Sequence, residues 1–524
     1  MALTRFPKCS TLRDRWQWLP YPRFPRPPVV RLLPDPALSR VVVRLAAPVM
    51  LGMLTQTALN LVDTIMVGRL PANYSIAGQG AIGYSLILLW ALGGFLSAIQ
   101  VGTQAITSRR FGEGHPKRSG QALTNSLLIA LTCGTLFSLS AWAAIDFIFP
   151  LFDSNPRVVE LGKDYAGWRM LGIVAMVGTA SYKAFFDGIG CTHVHMVAAI
   201  VMNIVNLLLN WGLIFGAGPF PQLYVTGAGI GSMISTWVGL FVIMGWSFLP
   251  RFRSSFLYYR ISNFDLSVLW NIVRVSVPGG LATVFVMSGF ALFIKIVGML
   301  DGRTSVEGIL AISAIYTPDV FAGMQLLSDS TLLSDPMVHA WSQRPPYFTS
   351  ATKIIMDTMS VSFMSMIALG TATATLVGQR LGAGEPEMAS RYGWTSVHLG
   401  CIGMAVFALA GIAAPDTFIA IFNPNPDVIE AGRISLQVMA GCSIFIVGGV
   451  VLAQALFGAG YSRYVMWVEA LLHAVFLVPL SYIAAMVFDL GIVGIWCSAG
   501  LYIFLLAVAM AWKFHEGAWK NTVL

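Results

Sequence analysis

Polar residues are sparse along this chain, and they gather where long apolar runs break. Those runs lie at about 44–68, 79–108, 120–143, 159–186, 193–216, 228–249, 267–300, 354–380, 393–414, 429–457, 464–487 and 491–512. Each approaches or exceeds the ~20 residues with which a helix crosses ~30 Å of hydrocarbon. The breaks fall on clusters of Gly, Pro, Asn and Asp, the residues that turns require. The pattern predicts an all-α polytopic membrane protein of about twelve transmembrane helices.

The breaks also repeat. FDSNPRVVELG at 152–162 and FNPNPDVIEAG at 422–432 agree at six of eleven positions, 270 residues apart. The same offset pairs RFGEGHP (Arg110 to Pro116) with RLGAGEP (Arg380 to Pro386), and DGIG (Asp187 to Gly190) with FGAG (Phe457 to Gly460). Near the first and seventh runs the offset is 230, where Pro48 pairs with Pro278 and Gly68 with Gly298. The chain is therefore two copies of one unit. About six helices per copy return each half to the same side, which makes the copies parallel repeats. The expected organisation is an arm at 1–40, an N-lobe at 41–250, a linker at 251–266, a C-lobe at 267–515 and a tail at 516–524. The centre of function belongs between the halves, where repeat transporters bind substrate and ion.

Composition agrees with the span count: 56% of residues are apolar and 11% charged, with mean hydropathy +0.73. A soluble domain carries about 25% charged residues. The net charge of +8 is a topology signal and not a nucleic-acid one. Arg and Lys crowd the arm, the loop at Arg109, Arg110, Lys117 and Arg118, the linker at Arg251, Arg253 and Arg260, and the tail at Lys513 and Lys520. The opposite loops are poor in them, so both termini are expected in the cytoplasm, in a plasma (inner) membrane. The arm has no apolar h-region and is not a secretory signal. It reads as a disordered arm, a misplaced start or a transit peptide. The six cysteines show no CxxC spacing and read as free thiols. No Walker A, HExxH or GxSxG motif occurs, so no cofactor or resident metal is expected, and transport would draw on an ion gradient.

The first run holds the main candidate for chemistry. Asp63 lies in APVMLGMLTQTALNLVDTIMVG, with no Lys or Arg at i±3 or i±4 and with Gln56 two turns back. A carboxylate at depth is costly and marks function by default. At offset 230 its partner is Phe293, so shared architecture does not demand it. The fifth run places Asn203, Asn206 and Asn210 on one helix face. Their amide oxygens beside one carboxylate form an oxygen cage for a small cation (a transient Na+ at Asp63 and Asn206), a pocket for a carboxyl proton, or plain interhelical amide packing. Lys183 either pairs with Asp63 or snorkels to the cytoplasm, and Lys295 snorkels. Glu469 and His473, at i and i+4, are a structural polar pair or a proton pair of the C-lobe. Lys353 and Asp357 neutralise each other at a helix start.

The duplicated unit, the order Gln56, Asp63, Gly68, the run NLLLNWGLIFG from Asn206 and the turns FFDGIGCT and LFGAGYSR resemble the MATE multidrug and toxin extrusion family over about 40–515. The resemblance implies two six-helix bundles around a V-shaped cavity and antiport of H+ or Na+ against small organic, often cationic, compounds. It also implies that Gln56, Asp63 and Asn206 line an N-lobe ion site. The chain departs from the family in carrying Asn210 where the DinF-like branch often has Asp. It also carries Asp187 where Arg is usual, and no acid in the seventh run where the NorM-like branch has Glu. These features lean towards a DinF-like, N-lobe-coupled protein, with H+ ahead of Na+. A monomer embedded in lipid is expected. A lipid-linked oligosaccharide flippase of the same superfamily is the rival; it should line its cavity with several Arg or Lys. An intramembrane enzyme or a scaffold is a more distant reading.

The offset changes from 230 to 270 between about 315 and 354, which marks about 40 inserted residues at 314–353. The segment is polar and Pro-rich and is expected as an outward-facing loop, or a gene-model artefact, that splits the eighth span between Ile312 and Ile354.

Overall fold

A computed structural model of the chain describes residues 35–151, 156–316, 347–522 and 524. The arm before Asp35 and most of the insertion therefore lie outside the described residues. The rest forms one compact helical unit from Asp35 to Leu524, with no strand among the described residues.

The first copy opens with α1 (Pro36–Gly68). Next come α2 (Ala72–Leu89) and α3 (Ile99–Gly112), joined through a π-helical turn at Trp90–Gly94. Then follow α4 (Pro116–Ile148), α5 (Pro156–Met170), α6 (Ile173–Gly188), α7 (Thr192–Phe215) and α8 (Tyr224–Ser247). The short α9 (Pro250–Phe256) leads into the second copy. That copy comprises α10 (Leu266–Tyr316), α11 (Tyr347–Gly382), α12 (Pro386–Ala413), the short α13 (Pro415–Phe422), α14 (Pro426–Gly458), α15 (Ser462–Leu471), α16 (Val478–Tyr482) and α17 (Gly491–Glu516). Among the described residues eleven helical stretches are long and apolar enough to cross a bilayer. The fourth crossing, α5 with α6, is broken by a turn at Leu171–Gly172, so neither part reaches full length alone. Together they give the expected two sets of six.

Helix boundaries follow local chemistry. Pro stands in the first turn of α4, α9, α12, α13 and α14, where its missing N–H costs nothing. The repeated turns need glycine for a left-handed backbone: Gly114 and Gly384 have φ +78° and +74°, and Gly190 and Gly460 have +74° and +80°. Both pairs are 270 apart. Pro48 and Pro278 lie inside α1 and α10. Outer faces repeat too. Leu136 and Leu139 of α4 are 64% and 52% exposed, and Val406 and Leu409 of α12 are 70% and 71%. In a chain of this hydropathy such faces meet lipid.

The two copies meet where α3 crosses α11. A Cβ on Gly112 would stand 2.0 Å from the carbonyl oxygen of Gln379, and one on Gly382 would stand 2.0 Å from that of Arg109. These contacts exchange under the 270-residue repeat, so the crossing lies on the pseudo-two-fold axis. Gly378 meets the Ser108 hydroxyl, its own repeat partner. Around the crossing, Gln104 Nε2 donates to the Thr371 carbonyl at 3.0 Å and to Thr375 Oγ1 at 2.9 Å. Thr375 Oγ1 donates to the Asp187 carbonyl at 3.0 Å, and Gln379 Nε2 to that of Gly188 at 2.8 Å.

The eighth span differs from expectation. It is not split at Ile312, which continues the helix of the seventh span, α10, to Tyr316. No proline interrupts α10 after Pro278, and the described helix runs to Tyr316. The eighth span is instead α11, continuous over 36 residues from Tyr347. Asp301 of α10 caps it. Its carboxylate accepts from the Phe348 N–H at 3.0 Å, the Thr349 N–H at 2.8 Å and the Thr349 hydroxyl at 2.6 Å. Lys353 and Asp357 form the expected pair, at 2.6 Å.

Two outcomes follow from these contacts. Gly112→Ala and Gly382→Ala should each cost about 1–3 kcal/mol, since a backbone carbonyl cannot yield as a side chain can. Gly403→Ala, which meets nothing within 4 Å, should be neutral; thermal midpoints in detergent compare the three. Asp301→Ala should cost about 0.5–2 kcal/mol through the lost cap, read as a lowered midpoint with normal membrane insertion.

Candidate functional site

The N-lobe site is built on α7, which starts after the Gly190 turn and ends at Gly216 with φ +71°. α7 runs beside α1 in the same direction. A Cβ on Gly52 of α1 would lie 3.6 Å from Met196 Cα and 3.7 Å from Ala199 Cβ, so these helices pack at ordinary van der Waals contact. The three asparagines of α7 are all buried. Asn203 Nδ2 donates to Thr55 Oγ1 of α1 at 3.1 Å. Asn206 Nδ2 donates to Ser232 and Ser235 of α8 at 3.0 and 3.1 Å. Asn210 Nδ2 donates to Asn206 Oδ1 at 3.0 Å. One amide ladder thus ties α1, α7 and α8. Asn203 Oδ1 is buried with no hydrogen-bond partner among the described residues.

Thr55 opposite Asn203 fixes the register of α1 on α7. Eight residues further along both parallel helices, Asp63 comes level with residues 210–211. The backbone therefore brings Asp63 to the height of Asn210; the Asp63 side chain lies outside the described set. Gln56, about 100° around α1 from Thr55, is exposed and takes no part in the ladder.

Lys183 is not placed to serve Asp63. It sits on α6 close to the turn at Ile189–Gly190, within reach of the charges of Asp187 and His195. His195 is fifteen residues from Asn210 along α7, so the two levels differ by about 22 Å at 1.5 Å per residue. No lysine spans that. Its near neighbour Asp187, one turn on, is fully buried, and neither carboxylate oxygen finds a hydrogen bond among the described residues. Sequence reading saw Asp187 only as a departure from a pattern.

In the C-lobe, Glu469 and His473 are both buried. His473 Nδ1 lies 2.8 Å from the Glu469 carbonyl and 3.5 Å from its Oε2. A third member joins them: Tyr502 of α17 donates its hydroxyl to Glu469 Oε2 at 2.9 Å. Phe290 of α10 meets the imidazole edge-on, with centroids 6.1 Å apart. Sequence spacing on one helix could not reveal Tyr502, which lies on the next one.

Three comparisons bear on the site. The sequence model described as MatE matches residues 48–212 and 321–483, more than half of the chain. The chain is similar to "Multidrug resistance protein NorM" of Burkholderia vietnamiensis, 24% identical over 92% of this chain and 95% of the relative. It is also similar to "Probable multidrug resistance protein NorM" of Thermotoga maritima, 21% identical over 93% and 94%. Its fold matches the crystal structure of a MATE protein in complex with MaL6, with TM-score 0.77 at 18% identity over 94% and 98% of the two chains. It also matches a MOP superfamily transporter from Pyrococcus furiosus, with TM-score 0.76 at 19% identity over 94% and 98%. That transporter's description states a reversed polarity of its binding pocket.

The ladder supplies a direct probe of itself. A Cβ on Gly231 would sit 2.2 Å from Asn210 Oδ1, so Gly231→Ala must displace that amide. The variant is expected to fold, with a loss of about 1–3 kcal/mol from the disturbed buried hydrogen bonds. Asn210→Ala in the same background should recover part of that loss, measured as thermal midpoints of the single and double variants.

Proposed function

This chain belongs to the MATE family, and we propose that it exports small organic, often cationic, compounds in exchange for an ion. The coupling ion is H+ ahead of Na+, no cofactor takes part, and the protein works as a monomer with both termini in the cytoplasm. The observation that supports the reading is the amide ladder on α7, whose last member, Asn210, comes about level with Asp63 along the parallel helices when Asn203 faces Thr55. A carboxylate there has a chemical task. Charged, it must be met by a cation or water; neutralised by a bound ion, it is tolerated in a dry lobe. Ion binding and release thus favour different arrangements of the lobes, which is how a gradient can drive export.

H+ is favoured for two reasons. Asn210 leaves one carboxylate at this height, where a second would strengthen a cation site. Asn206 Oδ1 is already taken by Asn210, whereas a hard cation wants several free oxygens. Support for the organic substrate comes from the relatives named for multidrug resistance. A flippase for lipid-linked oligosaccharides would need a basic cavity for its pyrophosphate. The lysine nearest mid-depth in the N-lobe, Lys183, instead shares its place with Asp187 and His195.

Asp63→Asn should abolish gradient-driven export at unchanged membrane levels, since an amide keeps the shape but cannot exchange a proton. Ethidium or norfloxacin accumulation in cells reads the export itself, and equal accumulation with and without the protein across a broad panel would remove the proposal. In vesicles an imposed pH gradient should drive export, and a Na+ gradient at symmetric pH should not. Equal driving by Na+ would reverse the choice of ion.

A further inference from the structure

The polar cluster of the C-lobe stands apart from the ladder and from Asp63. We propose that Glu469, His473 and Tyr502 form a second proton-binding site at mid-depth of the C-lobe, loaded and emptied as the protein turns over. The turnover clause rests on the export reading above; the proton site does not.

Hydrogen-bond logic fixes the state of the imidazole. A carbonyl oxygen only accepts, so the 2.8 Å contact to the Glu469 carbonyl requires a proton on Nδ1. In neutral His473 the other nitrogen, Nε2, is then a bare lone pair. It is buried, and no donor reaches it among the described residues. A pair kept only for packing would be expected to have this atom satisfied. Here a base stands vacant beside a buried acid.

Charge makes the same point. The described contacts of the cluster come from three elements. α10 presents Gly289 and Phe290, α17 presents Tyr502, and α15 carries Glu469 itself. Among the described residues, no lysine, arginine or second acid makes an ion pair with it. Empty, the cluster carries one negative charge with a single phenol donor. With one proton it is neutral, whether the proton rests on the Glu469 carboxyl or on His473 Nε2 with the carboxylate beside it. The low-dielectric interior favours the neutral, loaded state, and hydration favours the empty one. No other bond forms or breaks when the proton comes or goes.

The fold makes room for this group. A Cβ on Gly289 would lie 2.2 Å from His473 Cδ2, so α10 is hollowed opposite the ring. His473 also stands in a π-helical turn, Leu472–Leu477, a distortion frequent at functional sites. The repeat gives an independent argument. At offset 270 His473 takes the place of Asn203, whose amide bonds α1. Both copies thus set a polar group at the same seat between their first and fifth spans.

The test uses the full-length protein in lipid vesicles and the proton alone as ligand. Difference infrared spectra of the wild type should show a protonated-carboxyl band that comes and goes with pH and is lost in Glu469→Gln. Tyr502→Phe keeps the ring packing and should move the midpoint by about tenfold in proton concentration. If Glu469→Gln proves unstable, this shift carries the test. Superimposable wild-type and Glu469→Gln spectra, a band that does not titrate, or a band displaced by Na+ at fixed pH would each overturn the proton site. These readings need no substrate and stand if the export reading fails. In the same vesicles Glu469→Gln should cut proton-driven export by about tenfold or more; unchanged export would overturn the turnover clause.

Discussion

The two lobes are held at a distance that admits no side chain. At the crossing of α3 and α11 the glycines at 112 and 382 let backbone meet backbone, and Gly378 leaves room for the Ser108 hydroxyl. Two membrane helices gain nothing from hydrophobic burial against each other, since lipid is as apolar as they are. Close packing and interhelical hydrogen bonds must supply the attraction. Both are found there: the carbonyls of Arg109 and Gln379 lie against the facing glycines, and Gln104, Thr375 and Gln379 bond across the lobes. This contact sets the pseudo-two-fold axis, and the axis assigns every other span its place. α1 and α10 thereby occupy equivalent positions, each beside the fifth span of its copy.

From equivalent seats the two copies have taken different chemistry. The N-lobe carries amides and one carboxylate in α1; the C-lobe has Phe293 where Asp63 stands, and it holds its acid on the fifth span. Its seventh span offers space rather than charge, at Gly289. A duplicated fold tolerates this because each lobe packs its own core, and the polar seat lies where its first, fifth and sixth helices converge. What must stay common is the crossing, where a change on one side meets backbone on the other.

Much of this was legible in sequence. Spans and their pairing could be read because lipid requires long apolar runs, and because turns demand Gly and Pro at fixed places. Asn203, Asn206 and Asn210 could be read as one face from helical spacing alone. The function of the glycines at 112 and 382 could not, since a close approach between residues 267 and 273 apart leaves no local trace. Tyr502 was hidden for the same reason. The limit of Lys183 was hidden because depth depends on where its helix starts, and α6 starts only after the turn at Leu171–Gly172. The bounds of the insertion at 314–353 fall largely outside the described residues; a repeat offset locates an insertion only to within its unmatched span, and the Asp301 contact that holds the α11 residues from Tyr347 leaves no trace in the local sequence.

If the lobes part at the crossing during turnover, tying them there must stop transport. Cysteines at Gln104 and Thr375, in a background without the six native ones, face each other across the two lobes. A short thiol crosslinker is predicted to halt ethidium export in vesicles, and a reductant that cleaves it is predicted to restore the rate. Full export by a crosslinked population would contradict the account.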